Sequence, residues 1–133
     1  MPSNIDLFRA IIEHGFNQGD LSVAHEICAD RLVEHEYLAR SDLPGPEILK
    51  LQIQSARTEV ADLHLVIEEV VEAGDKVWAR MNATGKARNG KNISMYVFDV
   101  CRFEHGKLVE HWGVPDRFAL LHQAGLLPPP PAR

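Results

Sequence analysis

The sequence predicts an α+β fold: a curved antiparallel sheet covered on one face by N-terminal helices, with a pocket between them. Before residue 60, apolar residues recur mainly at three- and four-residue spacing, the helical period. From residue 62 onward the apolar period is two, the period of strands. The resulting order is helix, helix, strand, helix, then four consecutive strands. That order suits helices laid on a strand meander and not an alternating βαβ sheet. The chain has 133 residues, the length of one ordinary domain. We read residues 1–127 as that domain and residues 128–133 as a proline-rich tail.

Each element has its own signal. In residues 4–17, Ile5, Phe8, Ile12 and Phe16 form one stripe, with Ser3 or Asn4 as cap and Gly15 or Gly19 as stop. Asp20 caps a second helix over residues 21–29, antiparallel to the first, with Val23, Ile27 and Cys28 inward. Residues 31–38 are rich in β-branched and aromatic side chains and read as a short strand. Residues 41–46 (SDLPGP) make a loop. A third helix follows over residues 47–58, with Ile48, Leu51, Ile53 and Ala56 apolar. Strands are expected at 62–72, 77–83, 93–103 and 107–112. Gly74-Asp75 turns the first pair, and a looser link with Gly85 and Gly90 joins the second. Residues 115–125 suit a short helix that packs Phe118, Leu120 and Leu121 down.

Charge and cysteine usage exclude several function classes. Fourteen Lys and Arg against nineteen Asp and Glu leave a formal charge of −5. Nucleic-acid binding draws on clustered Lys and Arg, and the chain has no such run. No apolar stretch approaches the ~20 residues of a membrane span, and residues 1–8 lack the layout of a secretory signal. Cys28 and Cys101 read as buried free thiols of a cytoplasmic protein, with a disulfide between them left open.

The chemistry concentrates in residues 97–116, VFDVCRFEHGKLVEHWGVPD. Glu104-His105-Gly106 reads as a three-residue hairpin loop with Gly106 in the left-handed region. Phe103 then pairs with Lys107, Asp99 faces His111, and Val97 faces Gly113. Alternation puts Val97, Asp99, Cys101, Val109, His111 and Gly113 on one face. Phe98, Val100, Arg102, Glu110 and Trp112 fall on the other. An Asp beside a His beneath helices is a candidate acid–base pair. A pair that only satisfies two half-buried groups is the plainer alternative.

This segment resembles the C-terminal hairpin of SnoaL-like polyketide cyclases, of the nuclear-transport-factor-two-like and ketosteroid-isomerase-like superfamily. The resemblance rests on Arg102-Phe103, Gly106-Lys107-Leu108, Glu110-His111-Trp112 and Pro115-Asp116. It extends to EEVVEAGDKVWARMNATG and DRLVEHEY, and is closer after residue 60 than before it. It implies a SnoaL-like (cystatin-like) fold, its curved sheet wrapped around the N-terminal helices to form a cone-shaped pocket, and a cofactor-free enzyme; Trp78 and Trp112, if on the outer sheet face, suit a homodimer interface. The enzyme's substrate would be a small apolar or aromatic carbonyl compound, cyclised by an aldol-type step or isomerised through an enol. The family's pocket histidine falls on His111. Its catalytic aspartate falls on Gly113, its second histidine on Asp99 and a pocket glutamine on Val97. The carboxylate has thus moved across the hairpin, and a non-catalytic binding or assembly domain of the same fold stands as the alternative.

Asp99 is therefore the candidate base and His111 its partner. Val97, Cys101 and Gly113 share their face. His35 and Tyr37, on one face with Val33, are candidates to orient a substrate oxygen at the pocket mouth, with solvated polar residues as the alternative. Arg80 shares a strand face with Trp78; together they line either the pocket or an outer subunit interface. His35, Asp99 and His111 as a metal site lack supporting spacing, and no metal is expected.

Overall fold

The computed structural model describes residues 2–36, 42–128 and 131–132. Helix α1 (Asn4–Ala10) starts in a capping box: the Ser3 hydroxyl accepts from the Asp6 amide while the Ser3 amide donates to the Asp6 carboxylate, both at 3.1 Å. Together these satisfy two donors that a helix start leaves unpaired. The helix does not stay α-helical to its end, as the stripe predicted. It widens into a π-helical segment at Ile11–Phe16, which buries Ile11 and Ile12. Arg57 then caps the end by donating to the carbonyls of Phe16 and Asn17. The Asn17 side-chain amide pairs with both backbone groups of Leu65 and ties this end to the sheet.

Helix α2 (Ser22–Ile27) is shorter than expected, because strand β1 (Cys28–Glu34) begins at Cys28. Asp20 accepts from the Ser22 amide and hydroxyl at the start of α2. Helix α3 (Gly45–Glu59) has a proline in its first turn, where no amide partner is needed. It buries Ile48, Leu49 and Ile53. Strands β2 (Ala61–Ala73), β3 (Lys76–Lys86), β4 (Asn92–Glu104) and β5 (Lys107–Pro115) form the meander, and α4 (Arg117–Gln123) follows. Each strand runs slightly longer than its apolar pattern. Of the expected tail, Pro129, Pro130 and Arg133 lie outside the described residues.

The sheet order is β1-β5-β4-β3-β2. The four meander strands are antiparallel, as expected, but β1 adds to the β5 edge in parallel. Bulges between Ile67 and Glu69, between Arg102 and Phe103, and within β1 bend the sheet. The core fills its concave side: Phe8, Ile12, Ile48 and Ile53 from the helices meet Val77 and Met81 from β3.

The β4–β5 hairpin corrects the expected register. Its loop has two residues, not three: His105 and Gly106 both have positive φ, at 51° and 73°, the requirement of the tight turn that matches strand twist. Glu104 pairs with Lys107 and Phe103 with Leu108, whereas Arg102 pairs with Glu110. Val109 is therefore an extra residue bulged out of β5. Its place on the inner face is taken by Leu108, which is buried. Asp99 lies opposite Gly113, and Cys101 opposite His111. The two-residue loop alone would have turned Asp99 and His111 to opposite faces. The bulge adds one residue and returns them to the same face as diagonal neighbours.

Candidate active site

Three adjacent strands bring the polar residues together. β5 supplies His111, β4 supplies Asp99 and β1 supplies Glu34, which registers directly beside His111 in the parallel pair. The His35 amide donates to the His111 carbonyl at 2.9 Å and fixes that register. His111 Nε2 lies 3.2 Å from Asp99 Oδ1. On the other side of the ring, Nδ1 lies 2.7 and 2.9 Å from the two Glu34 oxygens. Glu34 also accepts from Gln52 of α3 at 2.7 Å and from the Glu36 amide at 3.1 Å.

Electrostatics follow from this sandwich. Burial by itself would pull the His111 imidazole down. The charges of Asp99 and Glu34 outweigh it and hold the group at about 10, an imidazolium at neutral pH. Burial pushes the Glu34 carboxyl up, but His111, Gln52 and the Glu36 amide more than reverse this and leave it below its ordinary value. Glu36 is pushed up by burial against the attraction of Arg117, whose guanidinium donates to it at 2.7 Å.

Gly113 makes the arrangement possible. A Cβ there would stand 2.7 Å from His111 Cε1 and 2.8 Å from Asp99 Oδ1. The point where the two side chains meet is the space that a side chain at 113 would need.

The pair opens on a cavity of about 570 Å³ between the sheet and the helices. Phe8, Ile12, Phe16, Leu63, Met81 and Met95 are among its apolar walls; Asp99, His111, Gln52, Glu36, Glu59 and Arg117 are its charged or amide-bearing lining. A largely apolar site with a few convergent polar groups suits a small organic ligand.

Val97, Asp99, His111 and Gly113 lie on the cavity wall. Three other sequence candidates do not. His35 points to the outer sheet face, where it stacks on Trp112 at 4.7 Å and bonds Glu110 at 2.8 Å. His35 sides with Val33, as alternation predicts, and both face outward, the solvated alternative and not the pocket mouth; Leu32 and Glu34 point inward. Arg80 is also outside, paired with Glu68 and Glu69, which settles its ambiguity with Trp78. Cys101 shares the inner face but is packed into the core, 3% exposed and off the cavity lining. Tyr37 lies outside the described residues. With His35 on the opposite face, His35, Asp99 and His111 do not converge. Among the described residues no group of three or more His, Cys, Asp or Glu is arranged to hold a metal ion.

Sequence reasoning missed Glu34, Gln52, Glu36 and Arg117. Gln52 carried a signal: it sits four residues after Ile48 on the buried stripe of α3, where a polar side chain needs a buried partner. Glu34 carried none, because Leu32 and Val33 are both apolar and leave the facing of β1 undetermined.

Fold and site together define a small α+β protein with polar side chains on the wall of a largely apolar cavity. The family model for SnoaL-like polyketide cyclases matches residues 6–124, and the chain belongs to that family. Among solved structures it is similar to TsrD of Streptomyces laurentii, at 22% identity and a TM-score of 0.81 over 96% of this chain and 100% of that one. It is also similar to a candidate polyketide cyclase of Bacillus cereus, at 29% identity and a TM-score of 0.77 over 92% of this chain and 78% of that one. IdmH, a candidate polyketide cyclase of Streptomyces antibioticus, aligns at 26% identity and a TM-score of 0.78 over 91% of this chain and 97% of that one. No curated protein matches the chain. Among the described residues no helix is long and apolar enough to cross a membrane.

Proposed function

We propose that the protein is a cofactor-independent enzyme that enolises a small apolar or aromatic carbonyl compound, as in an intramolecular aldol cyclisation or a related isomerisation. The observation that carries this reading is the Asp99–His111 ion pair on the wall of a cavity otherwise dominated by apolar side chains. Asp99 removes a proton from a carbon between two carbonyl groups, and the C–H electron pair moves onto the carbonyl oxygen. The charge of His111 stabilises that enolate. The enolate carbon then bonds to a second carbonyl carbon of the same molecule. The alkoxide so formed takes the proton back from Asp99, which restores the carboxylate and leaves no net change in atoms.

The test is exchange of the acidic C–H of ethyl benzoylacetate with D₂O, followed by NMR. Wild type should exceed the buffer rate, and Asp99→Asn should lose about 10²–10⁴-fold while still binding the ester. An unchanged rate in Asp99→Asn would sink the assignment. Gly113 favours a second reading, a non-catalytic ligand-binding domain, because it leaves no side chain at the position where the resemblance puts the family's carboxylate. Binding of the ester without any exchange by wild type would favour that reading.

The chain is read as one domain over residues 1–127, which the extent of the family match supports. A cytoplasmic setting is supported by the free thiols of Cys28 and Cys101. A homodimer through the outer sheet face is supported by the half-exposed Trp78, Phe98 and Val114 there. Sedimentation of wild type and Trp78→Glu checks it: a dimer that the substitution dissociates supports the reading, and a wild-type monomer ends it.

A further inference from the structure

The one charged side chain of the cluster that stands behind the cavity wall is Glu34. Its side chain is 0% exposed, and it is absent from the lining to which His111 and Asp99 contribute. It has no route to a substrate in that cavity. We propose that Glu34 is a positioning residue: its two oxygens on His111 Nδ1 fix the ring so that Nε2 faces Asp99, and they keep Nδ1 protonated. This rests on the reading of Asp99 and His111 as the acid–base pair.

Three contacts on different elements hold Glu34 in turn. The parallel register sets it beside His111, Gln52 of α3 donates to Oε1, and the Glu36 amide donates to Oε2. Each oxygen thus has a donor besides His111, so the carboxylate has little freedom to rotate. The geometry at the two ring nitrogens differs. Nδ1 makes hydrogen bonds of 2.7 and 2.9 Å to Glu34, while Nε2 makes the longer 3.2 Å ion pair to Asp99. The ring is anchored at the side away from the cavity, and the looser contact is on the cavity side. For stability alone, an apolar pair of this volume serves as well as a buried ion pair or better. What an apolar pair lacks is control of ring orientation and protonation.

Among the described residues, Asp99 from β4 and Glu34 from β1 act directly on His111, Glu36 acts on it without a hydrogen bond, and Cys101 of β4 lies opposite it; Arg117 of α4 pairs with Glu36 and Gln52 of α3 with Glu34. Of these, only Glu34 bonds Nδ1. The experiment is an imidazole titration by ¹⁵N NMR in wild type and Glu34→Gln, with the resonances assigned by their loss in His111→Gln. Glu34→Gln should lower the His111 titration by about one to three pH units. Exchange of ethyl benzoylacetate should lose at least about tenfold in kcat with KM little changed. The basic limb of its pH profile should move down with the titration.

An unmoved His111 titration in folded Glu34→Gln overturns the proposal whether or not wild type turns over, since it is read on the protein alone. Wild type without exchange overturns the acid–base reading and leaves the titration result standing. Should Glu34→Gln not fold, wild type decides: a slowly exchanging, downfield Nδ1 proton near neutral pH is required, and its absence overturns the proposal.

Discussion

Gly113→Ala separates packing from catalysis at the point where Asp99 and His111 meet. Replacing a strand glycine by alanine normally gains about 0.5–1 kcal/mol, because the unfolded chain has less freedom to lose. Here the new methyl would stand 2.7 Å from His111 Cε1 and 2.8 Å from Asp99 Oδ1, well inside contact distance. His111 has little room to yield, since Glu34 holds its far side at 2.7 Å. Asp99 must rotate away, which breaks its 3.2 Å ion pair. Overpacking of this kind costs about 1–3 kcal/mol, so the clash outweighs the backbone gain. The net expectation is a loss of up to about 2.5 kcal/mol, read as a fall in Tm of up to roughly 10 °C. Urea denaturation gives the free energy, and calorimetry gives Tm. The His111 titration should fall as Asp99 leaves. In a double-mutant cycle, Asp99→Ala with Gly113→Ala should lose less than the two single changes summed, because one of the two clashing atoms has gone. A Gly113→Ala protein as stable as wild type, with an unmoved His111 titration, would refute the steric argument.

Stability should also depend on pH through the same cluster. The folded His111 titrates at about 10 against an ordinary value of 6.5. Its contribution is therefore fully present below about 6.5 and is lost as pH rises through about 10, by about 1.4 kcal/mol per pH unit at most. Glu34 is depressed below its ordinary 4.5, so its contribution is present above that value and is lost as pH falls further. Urea unfolding of wild type should weaken between pH 7 and 10, and His111→Gln should flatten that slope; equal slopes would count against the imidazolium. The two thiols should be inert in the native state. Burial and then the charge of Glu34 push Cys28 up to about 12, and burial and then Asp99 hold Cys101 well above its ordinary value. A thiolate-selective reagent at pH 8 should label neither until the chain unfolds, and labelling of either at a free-thiol rate would show the core to be open.

The sequence by itself determined the helix-first, strand-meander order, because apolar period is a local property that marks each element. It also predicted one face for Asp99 and His111, which depends on the register between two strands. That shared face was nevertheless reached through a hairpin whose details differ. The shorter His105-Gly106 loop and the Val109 bulge displace the register in ways that cancel in parity, so the face holds although Gly113, and not His111, lies opposite Asp99. Only the tertiary structure decided the rest. The parallel docking of β1 joins Glu34 to a residue 77 positions away, and the inward or outward facing of a short edge strand is set by its neighbour and not by its own pattern. The same docking sends His35 to the outer face. The helices supply Gln52 and Arg117 only once they have packed across the sheet. Alternation is written in the order of residues along one chain segment, whereas the facing of an edge strand is settled by which of its two sides gains more by burial against the assembled core.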